Sequence, residues 1–496
     1  MQQQAALAGT GSDFPIAIIG AGFAGIGTAV RLKKAGIDSF TIFERAGDVG
    51  GTWRDNTYPG AACDVPSHVY SLSFEPNPRW SRRYSESREI WSYLRGVVAK
   101  WQLDAHLRLD TEIVDARFDE AAGAWTLTTH AGDTTTARFV VSCVGGLVDP
   151  KLPDIKGLQS YRGELFHTAR WNHDYDLVGR RVAVIGTGAS AVQVVPAIAR
   201  EVEQLHVFQR TPGWVMPKDD AAYSERAKRI FARFPLALRF SRFAKYALSE
   251  LRAPMIILDS ERLSRAGEKM SLEHLARQVH DPVLRAHLAP DYQFGCKRIL
   301  ISDDYWASFE RPNVELVTDP IEEITSTGVR TRDGVLREVD AIVLATGFAL
   351  GLASAPFPVV GRGGQTLDEA WEHGAVAYKG MTVSGFPNWF ILMGPNTGPG
   401  HTSVLVYTEA QIAHVLRAIR LLRERGLKYL DVRQVVQNRY NHGIQRRMKY
   451  MVWSSGCDSW YLSKDGSNHS LFPGLAAEYA LRARRFSAAD YEIARF

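Results

Sequence analysis

The sequence predicts an α/β fold in which one unit of strand, glycine loop, helix and strand occurs twice, the second copy being interrupted by a helical segment. Three observations carry this. The apolar run from Ile16 to Ile19 leads directly into Gly20, Gly22 and Gly25, spaced GxGxxG, and then into the helical stretch IGTAVRLKKAG. The stretch RRVAVIGTGASAVQVVPAIAR repeats the pattern with Gly186, Gly188 and Ala191. Finally, each half closes on a hairpin with a glycine turn and a short apolar strand, ahead of Gly145 and Gly347.

Each unit has the grammar of a Rossmann-like dinucleotide-binding domain. The first glycine allows the tight turn, the second lets the backbone approach a pyrophosphate, and the third lets helix and strand pack closely. Glu44, ending SFTIFE, is placed to accept hydrogen bonds from a ribose 2′-hydroxyl. Laying LHVFQRT over SFTIFER sets Gln209 against Glu44, with Arg210 following. A carboxylate repels a 2′-phosphate and a guanidinium pairs with it, so the first site suits an unphosphorylated adenosine ribose and the second suits NADPH. Two dinucleotides in one chain are most simply a flavin and a nicotinamide, with hydride transfer between them as the first reaction.

The remaining elements follow in order. Residues 144–157, rich in proline and glycine, read as a linker. Residues 216–290 carry helical periodicity with many arginines and aromatics and read as an insertion. A basic amphipathic helix there could lie on a membrane, but the charges are read as the solvated face of a cap over the substrate. A helical run from about Thr402 to Arg425, opened by GPNTGPGH, would present a partly positive N-terminus able to stabilise negative charge on a flavin ring. The expected boundaries are 1–150 and 351–496 for the two parts of an FAD domain, 151–215 and 291–350 for an NADP domain, and 216–290 for the insertion.

Composition narrows the function. At 496 residues with 45% hydrophobic and 23% charged residues, the chain can bury two or three cores. A net charge of +5 disfavours a nucleic-acid partner. No apolar run reaches the length of a membrane span. The four cysteines, Cys63, Cys143, Cys296 and Cys457, form no CxxC pair, which disfavours a metal site and a dithiol redox centre; they are read as reduced thiols in a cytoplasmic protein.

One stretch discriminates among two-dinucleotide flavoproteins. GGTWRDNTYPGAACD, residues 50–64, resembles the long motif of Type I Baeyer-Villiger monooxygenases, the class B FAD/NADPH flavin monooxygenases, through Gly51, Trp53, Tyr58, Pro59, Gly60 and Asp64. YRGELFHTARWN, residues 161–172, resembles the family's second fingerprint through Gly163, His167 and Trp171. Tyr161 stands where phenylalanine is usual, and Asn172 where proline or aspartate is usual. CDSWYLSKDG, residues 457–466, is similar to a mobile C-terminal loop of the family, with Trp460 as its tryptophan.

The resemblance implies a reaction. NADPH would reduce FAD, oxygen would add at flavin C4a, and the peroxyanion would attack a ketone carbonyl to give an ester or lactone, with sulfoxidation as a second activity. A fixed cation is needed to hold the peroxide deprotonated and to stabilise the tetrahedral adduct. The family's catalytic arginine falls on Arg298, and Asp64 matches the carboxylate that orients it. Lys297 matches a contact to the 2′-phosphate, alongside Arg210 and Thr211. The same carry-over adds Phe23, Thr52, Cys63, Tyr70 and Val114 to the flavin set, and Thr187, Ala189, Ser190 and Gln193 to the nicotinamide set. Read from the residues alone, nothing brings Asp64 and Arg298 together. His167 could be a base, a ligand or a structural residue; no metal-ligand spacing accompanies it, and a structural and conformational role is favoured. Trp460 reads as a lid residue because Ser, Gly and Asp flank it.

The expected partners are therefore a small ketone or sulfide and O2, with no nucleic acid, no membrane span and no metal. Two alternatives stay open at this point: an N- or S-oxygenating flavin monooxygenase, and a dinucleotide-sensing flavoprotein without efficient oxygenation.

Overall fold

Two five-stranded parallel sheets share one strand order. In the first, Ile16–Ile19 lies between Phe139–Ser142 and Phe40–Phe43, with Trp389–Ile391 and Leu107–Arg108 at the edges. In the second, Arg181–Ile185 lies between Ala341–Leu344 and Gln204–Phe208, with Glu164–His167 and Val314–Val317 at the edges. The computed structural model describes residues 14–349, 355–456, 459, 461–463 and 466–496. The central strands are largely apolar and almost wholly buried, as a parallel sheet covered on both faces requires.

Each sheet borrows an edge strand from outside its own repeat. The first takes Trp389–Ile391 from late in the chain; Trp389 is fully buried and its ring lies 4.7 Å from that of Trp125. Trimming Trp389 to alanine would cost about 3–5 kcal/mol by opening that contact. The second sheet takes Glu164–His167, pairing Leu344 with His167. Sequence patterning does not mark YRGELFHTARWN as a strand, because only four residues pair and the edge position buries only Phe166 and His167 among them.

The helix Phe23–Lys34 returns the chain from the first strand to the second and packs on the long helix Val404–Glu424. Gly27 permits the approach: a Cβ there would meet Ile412 at 3.3 Å and Leu72 at 3.2 Å. The long helix begins one residue beyond Ser403, whose side chain accepts from the Leu405 amide at 3.2 Å. A three-stranded antiparallel unit, Ile113–Asp119, Ala124–Thr129 and Thr134–Ala137, precedes the strand Phe139–Ser142. Its counterpart in the second half is Ile321–Ile324, Gly328–Thr331 and Leu336–Glu338.

Between the halves of the second unit stand four helices, Glu225–Arg233, Pro235–Ile257, Glu261–Gln278 and Pro282–Leu288. Ser224 and Asp281 cap two of them, and Pro235 occupies a first-turn position where its missing N–H costs nothing. A short parallel ladder, Val215 on Leu300 and Met216 on Ile301, ties the two ends of this insertion together. The segment that carries Arg298 is thereby paired with the strand that enters the insertion rather than left on a free loop.

One expectation changes. Cys63 and Cys143 are free and buried, but Cys296 is disulfide-bonded, so the four cysteines are not all reduced thiols. Wide spacing concealed this, since cysteines far apart in sequence meet only after folding.

Candidate active site

The first glycine loop is built to leave backbone open. Gly20 sits at φ +103°, and a Cβ on Gly25 would lie 1.9 Å from the Gly20 carbonyl oxygen, so no other residue fits there. At Gly22, by contrast, nothing stands within 4 Å, and the helix that follows has no side-chain cap. An open glycine before an uncapped helix N-terminus fits a pyrophosphate. The second loop repeats this: Gly186 at φ +119° is pressed against Ala345, Gly188 faces open space, and Ser190 offers no side-chain cap to Ala191–Ile198. Thr187, Ala189 and Ser190 fill the turn, and the Thr187 hydroxyl donates to the Thr211 carbonyl at 2.8 Å.

Glu44 is buried, and its carboxylate accepts from the Ala21 amide at 2.8 Å, the Ala46 amide at 3.1 Å and Arg54 Nη1 at 3.1 Å. It thus organises the glycine loop, and with four lone-pair directions it retains capacity for one ribose hydroxyl. Arg54 was missed from sequence. It sits within TWRD, beside the residues singled out, and neutralises Glu44 in its half-buried surroundings.

The 50–64 stretch folds against this loop. Gly51, at φ +52°, lies under Gly22, and the short helix Thr52–Asp55 follows. Trp53 Nε1 donates to the Tyr70 hydroxyl at 3.1 Å, and Tyr70 stands edge-on to Phe23 at 5.2 Å. Val114 falls at a register shift between Ile113 and Asp115, so it has no partner residue in the hairpin ladder. Cys63 is buried, and burial pushes its thiol well up, which makes it a packing residue rather than a nucleophile.

Tyr58 and Gln193 join the two halves. The Tyr58 hydroxyl donates to Gln193 Oε1 at 2.8 Å, Gln193 Nε2 donates to the Ala62 carbonyl at 2.9 Å, and the Ala62 amide returns a bond at 3.3 Å. Gly60 is required here, because a Cβ would lie 2.5 Å from the Gln193 carbonyl oxygen. Gln193 therefore spends its amide on the flavin-side loop.

Arg298 and Asp64 meet. Arg298 Nη2 donates to Asp64 Oδ2 at 2.5 Å, and the two side chains remain 41% and 28% exposed, so the pair faces an opening. The charge of Asp64 raises the Arg298 guanidinium above its ordinary value. Burial pushes the Asp64 carboxyl up, but Arg298 outweighs it and holds the carboxyl below its usual range. Tyr461, a buried residue next to Trp460 that no sequence motif singles out, lies against this pair; burial pushes its phenol up to about 12 while Arg298 pulls it down. Trp460 itself lies outside the described residues.

Lys297 stands over the Tyr292 ring at 4.7 Å, and the Tyr292 hydroxyl donates to the Pro212 carbonyl at 3.1 Å, which brings Lys297 to the segment of Arg210 and Thr211. Arg210 is exposed. Gln209, opposite Glu44 in the repeat, is buried and donates to the His287 carbonyl at 2.7 Å.

The second fingerprint lies at the edge of the second sheet. A Cβ on Gly163 would lie 2.7 Å from the Asp340 carbonyl oxygen. His167 is buried, with Nδ1 accepting from the Ala169 amide at 3.1 Å; burial lowers its pKa, which favours the neutral ring. Trp171 packs edge-on to Phe166 at 4.9 Å. Both departures have a physical account. The Tyr161 hydroxyl donates to the Val339 carbonyl at 2.8 Å, and Asn172 Oδ1 accepts from the Asp174 amide at 3.0 Å, a turn that aspartate would also make.

Comparison with known proteins draws these observations together. The family described as pyridine nucleotide-disulphide oxidoreductase matches residues 17–231, which accounts for the dinucleotide frame. A Baeyer-Villiger monooxygenase of Pseudomonas aeruginosa is 45% identical, covering 96% of this chain and 91% of the relative. One of Streptomyces coelicolor is 44% identical over 97% and 92%.

This chain belongs to the Baeyer-Villiger monooxygenases.

Solved structures agree. An oxidized steroid monooxygenase bound to NADP superposes with a TM-score of 0.86 at 31% identity, covering 98% of this chain and all of that one. Cyclohexanone monooxygenase from Rhodococcus, bound to NADP+, gives 0.87 at 27% identity, with 98% and 100% covered. The protein is thus an FAD-dependent, NADPH-using flavin monooxygenase that takes a small-molecule substrate and O2. In this monooxygenase, among the described residues, no group of three or more His, Cys, Asp or Glu side chains is placed to hold a metal ion, and no helix is long and apolar enough to cross a membrane.

Proposed function

We propose that this monooxygenase inserts one oxygen atom beside a ketone carbonyl to give an ester or lactone, with sulfides as a second substrate class. The partly exposed Arg298–Asp64 pair, which joins the segment after the insertion to the stretch of residues 50–64, carries this reading. The residues fit both cofactors: the Gly20–Gly25 loop with Glu44, Trp53 and Tyr70 would hold FAD, and the Gly186–Ser190 loop with Arg210, Thr211 and Lys297 would hold NADPH. When bound, the flavin accepts hydride from the nicotinamide and activates oxygen for transfer.

The protein's own contribution is electrostatic. Arg298 is charged across the working pH range, as any guanidinium is, and Asp64 raises its pKa further, so a cation waits where negative charge builds on the attacked carbonyl oxygen. Asp64 fixes the direction of the guanidinium, and Tyr461 lies against it. Burial pushes the thiols of Cys63 and Cys143 up, so both stay protonated. We place the enzyme in the cytoplasm, where NADPH is supplied.

The test compares the native protein with Arg298→Ala and Arg298→Lys, measuring ester formed per NADPH consumed over a panel of cyclic, linear and aryl ketones. Ester formation lost in the alanine variant, with NADPH oxidation continuing, supports the reading. Unchanged ester yield in that variant, or amines and sulfides as the sole oxygenated products of the native protein, overturns it.

A further inference from the structure

The insertion turns its apolar side outward. In the helix Pro235–Ile257, Leu236, Phe240, Phe243 and Leu251 recur at i, i+4, i+7 and i+15, so they form one stripe, and they are 75%, 71%, 63% and 78% exposed. Phe234, at the junction with Glu225–Arg233, is 58% exposed as well. The sequence alone suggests an outer face of solvated charge; the structure shows large hydrophobes exposed there beside the charged residues.

The contacts on the inner side of the helix explain why they cannot turn in. Arg242 Nη1 donates to the carbonyls of His68 at 2.7 Å and Ser71 at 2.8 Å, and the Ser249 hydroxyl donates to Thr402 Oγ1 at 2.9 Å. Glu250 lies 3.1 Å from His401 Nε2 and accepts from the Ala476 amide at 3.2 Å. Leu238, Ala253 and Ile257 are buried on that side. The helix is anchored in one rotation, with its stripe presented to the outside.

Charge identifies the partner. Residues 225–257 hold eight Lys and Arg against two Glu, a net +6, while the whole chain is +5. The excess positive charge of the protein is therefore concentrated on this helical pair. Arg226, Arg233, Arg239 and Arg252 are exposed and have no carboxylate partner among the described residues. A second copy of the chain would bring two such faces together against their like charge. Aromatic and leucine side chains rimmed by arginines match a bilayer interface, where the rings enter the acyl boundary and the guanidinium groups reach lipid phosphates.

We propose that the outer face of Glu225–Ile257 docks on an anionic lipid bilayer surface without crossing it. The partner is the phosphate-bearing headgroup layer, held by the arginines, with Phe240, Phe243, Leu236 and Leu251 inserted below it.

The experiment is sedimentation of the full-length, FAD-loaded protein with vesicles of phosphatidylcholine alone and of phosphatidylcholine with phosphatidylglycerol. Binding to the anionic vesicles, released by raised salt, is expected. Phe240→Ser combined with Phe243→Ser should abolish it while NADPH oxidation stays at the native rate. Should that variant fail to fold, Arg233→Gln and Arg239→Gln test the same surface, each lowering vesicle partitioning about fivefold. The proposal is overturned by absence of sedimentation with anionic vesicles, by arginine variants that bind as well as the native protein, or by a dimer in light scattering that the serine variant disperses with no vesicle binding.

Discussion

Arg298 Nη2 and Asp64 Oδ2 are hydrogen-bonded at 2.5 Å across 234 positions of sequence, with one partner at the exit of the helical insertion and the other on the loop after the first glycine turn. Asp64→Asn keeps the shape of the side chain and removes the charge that orients the guanidinium. Ester formation should fall by up to about 100-fold, the usual penalty for misplacing a reacting partner by about 1 Å. NADPH oxidation should continue, and product per NADPH measures the difference. Because the Asp64 carboxyl is held below its usual range, the stabilisation it contributes is complete above the unfolded value of about 3.9 and is lost only as pH falls through the lower folded value.

Coenzyme preference should rest on Arg210 and Lys297. Both cations stand at the end of the second unit where the first unit has a carboxylate. Arg210→Ala should raise the KM for NADPH about 10- to 100-fold, since a hydrogen bond to a charged group is worth about 1.5–3 kcal/mol. The KM for NADH should move little. Steady-state kinetics with both coenzymes separates loss of phosphate recognition from general damage.

Gly163→Ala should destabilise the edge of the second sheet. The added Cβ would sit 2.7 Å from the Asp340 carbonyl oxygen, and backbone on both sides must shift to relieve it. A loss of about 1–3 kcal/mol is expected, as for other overpacked sites. Tyr161→Phe removes only the bond to the Val339 carbonyl and should cost about 1 kcal/mol. Urea midpoints of the two variants rank these effects.

Acid should weaken the fold well before the carboxylates titrate. Burial drives the pKa of His414 and of His68 down to about 3. His414 is fully enclosed, with Nδ1 at 2.8 Å from the Ala483 carbonyl and Nε2 at 2.8 Å from the Tyr491 hydroxyl. In the unfolded chain these rings take up a proton near pH 6.5, whereas the folded protein refuses it. Stability is therefore unaffected above about pH 6.5 and declines as pH falls from there toward 3. Chemical denaturation at pH 7.5 and 5 should show the loss, and His414→Phe should flatten it.

By itself the sequence determined the repeated unit, both glycine loops, the acid at Glu44 against the cation at Arg210, and the family of the chain, because these depend on local backbone geometry and on residues adjacent in sequence. Only the tertiary structure decided which distant groups meet. Arg298 reaches Asp64 because Val215 and Met216 pair with Leu300 and Ile301 and so fix both ends of the insertion. Gln193 turns from the nucleotide loop to Tyr58 because Gly60 lets the two halves touch. The segment from Glu164 to His167 becomes a strand because the second sheet leaves the edge beside Ala341–Leu344 open, and four residues carry too short a pattern to announce it. The outward stripe of Phe240 and Phe243 was likewise hidden, since periodicity reports that a helix has an apolar face, whereas the anchoring of Arg242 and Glu250 decides which way that face points.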